Sequence, residues 1–147
     1  MTIPIYSVRT GRVENLIPVI KSEDVWRGFL TPQQFDVVRN RGTELAFTGV
    51  YHDCKKRGIY QCVCCGTDLF LSDAKFDSGT GWPSFSAPVS DHNVRVVTDR
   101  SHGMVRNEVL CARCGAHLGH VFDDGHPPAN KRYCMNSTSL NLVLNLP

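Results

Sequence analysis

The side chains best equipped for chemistry in this chain are its seven cysteines, four of which fall in a unit that occurs twice, CxxCG, at Cys62 to Gly66 and at Cys111 to Gly115. A CxxC turn sends two thiolates to one side while backbone N–H groups point at the sulfurs, and the following glycine supplies the positive φ that turns the chain back. Two such turns bring Cys62, Cys65, Cys111 and Cys114 into a tetrahedron. Four thiolates at about 2.3 Å suit one zinc ion and leave no open position, so the site is structural and able to contribute on the order of 10 kcal/mol to folding. The same spacing fits a pair of thioredoxin-like redox motifs or two disulfides. A redox CxxC, however, opens a helix in a βαβ unit, and both of these lie among β-prone residues. Cys64, between the two ligands of the first turn, could replace one of them, and it is the shared CxxCG frame that assigns Cys62 and Cys65.

Of the remaining cysteines, Cys54, Cys64 and Cys134, the last lies in KRYCMNSTSLNL, where Lys131 and Arg132 supply the positive charge that favours a thiolate. A buried cysteine packing as a small hydrophobe is the alternative, and the polar neighbours argue against it. AHLGHVFDDG places His117 and His120 three apart just after the second CxxC turn, where two imidazoles could relay protons near pH 7. They could equally be surface residues; as a second metal site they lack a third ligand. Between the two turns, KFDSGTGWPSFSAP is too aromatic for a linker and too Gly-rich for a strand, so Trp82 and Phe85 could form a pocket wall, or Trp82 could plug the core.

Elements must hold these residues in place. Thr31 as N-cap and Pro32 at the first helical position open a short helix through QQFDVVRNR, with Phe35 and Val38 on one face and Gly42 at its end. Beyond it GIYQCVCCG, TDLFLS, VRVVTD, MVRNEVLC and LNLVLNL are short β-prone pieces punctuated by Gly, Pro, Asp and Asn, an antiparallel pattern. At 147 residues one core suffices. A net charge of +2, from 16 basic and 14 acidic residues without a basic run, gives no ground for a nucleic-acid partner, and no apolar stretch is long enough for a membrane partner. An odd cysteine count without a secretory signal points to metal or redox chemistry in the cytoplasm. Residues 1–21, with Arg9, Arg12 and Lys21 against Glu14, share a basic surplus with organelle transit peptides but are short and hydroxyl-poor, like a plain terminal arm.

The order CxxC, SGTGWPSF, CxxCGAHLGHVFDDG and RYCMNSTSL, preceded by KSEDVWRGFLTPQQF and GTELAFTGVY, resembles the type B methionine sulfoxide reductases over roughly residues 22–142. The resemblance implies a domain over 22–147 after an N-terminal extension over 1–21. The implied fold is mainly β, with two small antiparallel sheets packed at an angle, a short N-terminal helix and a structural zinc site. It also implies thiol-dependent reduction of methionine R-sulfoxide, in proteins, peptides or free form, with a thioredoxin-like reductant. Residue by residue, RYCMNS makes Cys134 the nucleophile with Arg132 and Asn136 as polar partners, HLGH makes His117 and His120 the proton-handling pair, and GWPSF makes Trp82 the wall for the substrate methyl group. The chemistry suits these types: thiolate attack on sulfur needs an acid to protonate the departing oxygen, and Arg132 and the imidazoles should lower the Cys134 pKa. Asp124 is a candidate anchor for Arg132.

One departure stands out. Relatives with SGCGWPSF carry a resolving cysteine where this chain has Thr80, which cannot condense with a sulfenic acid. Cys54 in HDCKKRG is the first candidate to replace it, Cys64 the second, and direct reduction by thioredoxin or glutathione the third. The rival classes are a zinc-ribbon binding module without turnover, which leaves Cys134 and the histidine pair without a role, and a Cys-His hydrolase, which lacks an oxyanion-hole motif.

Overall fold

The computed structural model describes residues 1–144. It opens with an antiparallel hairpin, β1 (Ile3–Ser7) and β2 (Arg12–Leu16). Residues 1–21 are therefore more than an arm: Ile5 is buried, the Tyr6 N–H donates to Asn93 Oδ1, and the Val8 N–H donates to Asp68 Oδ2. The exposed, charged sequence RVENL of β2 hides the strand from pattern reading.

Two helices follow where one was expected. Ser22 caps α1 (Glu23–Phe29), whose first turn carries Glu23 and Asp24 against the positive end of the helix dipole. Thr31 caps α2 (Pro32–Asn40) in a complete capping box with Gln34, and Phe35, Val37 and Val38 are buried. The helix stops at Asn40, with Arg41 in left-handed conformation just before Gly42. α2 packs on the middle of the larger sheet, and Arg39 donates to the Cys114 carbonyl at 2.9 Å.

The rest is antiparallel β. A three-stranded sheet has the order β11 (Leu140–Val143), β3 (Ile59–Cys62), β4 (Asp68–Leu71). Of the expected strand LNLVLNL, residues 145 and 146 lie outside the described residues. A six-stranded sheet has the order β5 (Lys75–Phe76), β6 (Ser84–Phe85), β10 (Arg132–Met135), β9 (His117–Phe122), β8 (Arg106–Cys111), β7 (Val94–Asp99). Strand alternation gives this sheet two unlike faces. Val109, Val121, Tyr133, Met135 and Phe85 point to the core, where Phe85 stacks on Phe70 with centroids 4.4 Å apart. Among the described residues no helix is long and apolar enough to cross a membrane.

Candidate functional site

Two CxxC turns fold alike. Gly66 and Gly115 both have φ 77°, and their N–H groups donate to the carbonyls of Cys62 and Cys111 at 2.9 and 2.8 Å. The sulfurs of Cys62, Cys65, Cys111 and Cys114 lie within 4.8 Å of one another, with Cys62 to Cys114 at 3.7 Å and Cys65 to Cys111 at 3.6 Å. A tetrahedral metal with thiolate bonds of about 2.3 Å needs sulfurs about 3.8 Å apart, so the set fits one ion. Cys64 stands outside the set, its thiol within hydrogen-bond reach of Cys62 and Cys114.

The second turn leads straight into β9. There the pairing builds a row across the sheet: Phe76 opposite Ser84, Ser84 opposite Cys134, Cys134 opposite His120, and His120 opposite Glu108. Cross-strand neighbours share a face, about 5 Å apart, so the thiol and the imidazole adjoin. His117, three residues from His120, would face the other way on a regular strand. A bulge at Leu118, where the register shifts between Val109 and Leu110, adds the residue that restores parity, and the two rings meet edge to face at 5.5 Å. The extra carbonyl, of Leu118, accepts from the backbone N–H of Asn136 at 2.8 Å and from its side-chain amide at 3.1 Å. Asn136 Oδ1 in turn accepts from the Glu44 N–H at 3.0 Å. Asn136 thus reaches the cleft wall, but its amide is committed to holding backbone.

Each imidazole is oriented by a buried carboxylate. His117 Nδ1 donates to Glu108 Oε2 at 2.6 Å, leaving Nε2 buried and without a partner among the described residues, and His120 Nε2 donates to Asp99 Oδ2 at 2.9 Å. Burial pushes the His117 pKa down, with Glu108 opposing. The hydrogen bond from His120 holds Asp99 well below the usual carboxylate range.

The cleft, about 110 Å³, is lined by Thr43, Trp82, Arg106, Gly119, His120, Phe122, Cys134, Met135 and Asn136. Trp82 is fixed by its indole N–H, which donates to the Glu44 carbonyl at 3.0 Å, while Glu44 is itself buried and accepts from the Thr138 N–H and hydroxyl, both at 2.8 Å. Beside it Phe47, at φ 67°, donates its N–H to the Gly81 carbonyl and exposes its ring. A non-glycine residue held in that conformation is a local strain of the kind that collects at working sites.

Arg132 shares a face with Cys134 and is gripped by Asp124 through bonds of 2.9 and 3.1 Å, its guanidinium stacked over the Phe122 ring at 4.5 Å. The Cys134 pKa nevertheless goes up, because burial outweighs Arg132 and a hydrogen bond with Thr80. The lowering expected from the basic neighbours is present but loses to desolvation.

Other residues fall elsewhere. Phe85 is not a cleft residue: one position along from Ser84, it points to the opposite face and is 0% exposed in the core. Cys54 lines a separate cavity of about 250 Å³ with His52, Lys55, Lys56, Lys75 and Asp77, at the β5 edge. Glu44, Asp99, Glu108 and Arg41 support the site although motif spacing does not single them out; their partners lie mostly far away in sequence, Glu44 meeting Thr138 across 94 positions.

A family model described as the SelR domain matches residues 30–144. A Synechococcus sp. (strain RCC307) protein named peptide methionine sulfoxide reductase MsrB is 56% identical over 124 residues, 84% of this chain and 91% of that protein. Proteins of the same name from Hahella chejuensis and Pseudomonas aeruginosa (strain UCBPP-PA14) are 56% and 59% identical, over 83% and 84% of this chain and 88% and 93% of theirs. This chain belongs to the type B methionine sulfoxide reductases. The hairpin of residues 3–16 lies ahead of the matched segment.

Proposed function

We propose that this protein reduces methionine R-sulfoxide to methionine, with Cys134 as nucleophile. The observation that carries the reading is the register that seats Cys134 opposite His120 in a cleft walled by Trp82. The Cys134 sulfur attacks the sulfoxide sulfur. The transient S–S bond so formed breaks as the oxygen passes from the substrate sulfur to the Cys134 sulfur, the thiol proton passes through an imidazole to that oxygen, and the products are methionine and Cys134 sulfenic acid. His117 and His120 hold and deliver that proton, while Arg132 steadies the thiolate. The indole takes the methyl group and leaves oxygen on the side of the histidines, which selects one epimer. Exposed Leu45 and Phe47 beside the cleft offer apolar surface to residues flanking a sulfoxide in an oxidised protein or peptide.

Cys62, Cys65, Cys111 and Cys114 would hold zinc, which would supply rigidity to the fold, four thiolates leaving no open position for substrate. The sulfenic acid condenses with a second thiol, releasing water, and the disulfide is returned to thiols by a thioredoxin-like reductant. Cys54 is the resolving thiol of first choice; it lies by Lys75, and β6 separates β5 from β10, so the segment carrying it must move to reach Cys134. Cys64, against the metal cysteines, serves less readily. A cytoplasmic location suits free thiols. The test offers each epimer of methionine sulfoxide with dithiothreitol to wild type and to Cys134→Ser. R-specific loss in wild type alone is expected; equal rates in both sink the assignment. Mass spectrometry after one turnover then distinguishes a Cys54–Cys134 disulfide from persistent sulfenic acid.

A further inference from the structure

The proton-handling side of the cleft holds a third partner. Asp99 on β7 and Glu108 on β8 have side chains only 4% exposed, and a single guanidinium reaches both. Arg41 Nη2 lies 2.9 Å from Glu108 Oε1 and 3.1 Å from Asp99 Oδ1, and Arg41 Nε donates to Glu108 Oε2 at 3.1 Å. That same Glu108 oxygen accepts from His117. Asp99 Oδ2 accepts from His120 and, at 3.4 Å, from Arg106. Arg41 is delivered there by backbone geometry: it terminates α2 at φ 59°, ψ 34°, bonded to the Asp36 carbonyl.

We propose that Arg41 is a positioning residue that joins the Asp99–His120 and Glu108–His117 pairs into one unit, so that the two imidazoles handle the sulfoxide proton together. The inference rests on the reading of those histidines as the acid. Two buried carboxylates brought to one point repel each other unless a cation lies between them. A planar fork also fixes orientation in a way a point charge does not. Without Arg41, each carboxylate would hold a protonated imidazole more tightly, making it a poorer donor. Arg41 also works with burial and His120 against protonation of His117, while Glu108 opposes. Arg106 on β8 and Cys134 on β10 line the cleft with His120, and Arg132 on β10 acts on Cys134.

The test is the pH dependence of kcat and KM for a methionine R-sulfoxide peptide, with zinc-loaded wild type, Arg41→Met and Arg41→Lys. In Arg41→Met the acidic limb should move up by roughly 0.5–1 pH unit, toward the small end because Arg41 is half exposed and screened. On that limb its kcat should fall by at least the roughly threefold that a half-unit shift gives, with KM little changed. Arg41→Lys should restore the limb but only part of kcat. Imidazole NMR titration of His117 should show the same rise in Arg41→Met. Arg41→Gln, read the same way, replaces Arg41→Met if that variant melts early. Wild-type profile and turnover in the charge-free variant overturn the inference, as does a change in KM alone. His117→Asn and His120→Asn, run alongside, separate the failures: full activity in both sinks the catalytic reading, while lost activity there with an unmoved Arg41→Met profile sinks the Arg41 role alone.

Discussion

Cys134 and His117 are displaced in opposite directions by the same physical cause, burial, which raises the thiol pKa and lowers that of the imidazole. In the mechanism proposed above, the working form carries one proton between sulfur and imidazole. Below the His117 pKa a second proton blocks thiolate formation, and above the Cys134 pKa no proton remains for the oxygen. Activity should therefore be bell-shaped, its acidic limb below the ordinary histidine range and its alkaline limb above the ordinary cysteine range. Arg132 pulls the thiol pKa down, so Arg132→Ala should move the alkaline limb further up. It should also slow alkylation of Cys134 by iodoacetamide at pH 7.5 by roughly three- to tenfold, the scale of half to one pKa unit. An unchanged alkylation rate would mean that the guanidinium, held by Asp124, does not reach the sulfur.

The element that makes the site is β9 with its bulge, and its partners leave little room. A Cβ on Gly119 would lie 2.1 Å from the Cys134 carbonyl oxygen, so Gly119→Ala must part β9 from β10. The expected cost is at least the roughly 1–3 kcal/mol of an overpacked core, read from urea unfolding, with the Cys134 to His120 pairing and activity lost together. Asn136→Ala should cost a similar 1–3 kcal/mol, since it strips donors and acceptors from buried backbone at the bulge and at Glu44. A stable, inactive Asn136→Ala would instead make that amide catalytic. Nothing local in HLGHVF announces a bulge, and for that reason the histidine pair could be named from the sequence but not oriented. The caps of α2 were legible because Thr31, Pro32 and Gln34 act on their own backbone. Phe85 was misplaced because its face depends on the partner strands of β6, which sequence spacing does not specify.

At the scale of the molecule, what could be read ahead of the structure was what repeats or stands close together: the doubled CxxCG, the β-prone pieces, the cysteine between Arg132 and Asn136. The carboxylates behind the histidines, and Arg41 across them, come together only when β7, β8 and the end of α2 meet, from positions 67 residues apart in the case of Arg41 and Glu108. A metal in the cysteine tetrad would make that meeting rigid. One CxxC turn follows β3 of the three-stranded sheet, the other follows β8 of the six-stranded one, and Arg39 of α2 bonds the second, so a single ion held by the four cysteines would tie both sheets and the helix that ends in Arg41. If the ion is structural, stripping it with a strong chelator should lower the melting temperature and abolish activity in one step, with near-UV circular dichroism lost at the same rate as turnover and both restored by added zinc. Cys65→Ser should reproduce the loss without chelator. Activity that disappeared while the fold and the melting transition stayed intact would place the metal in the chemistry, against the closed four-thiolate geometry.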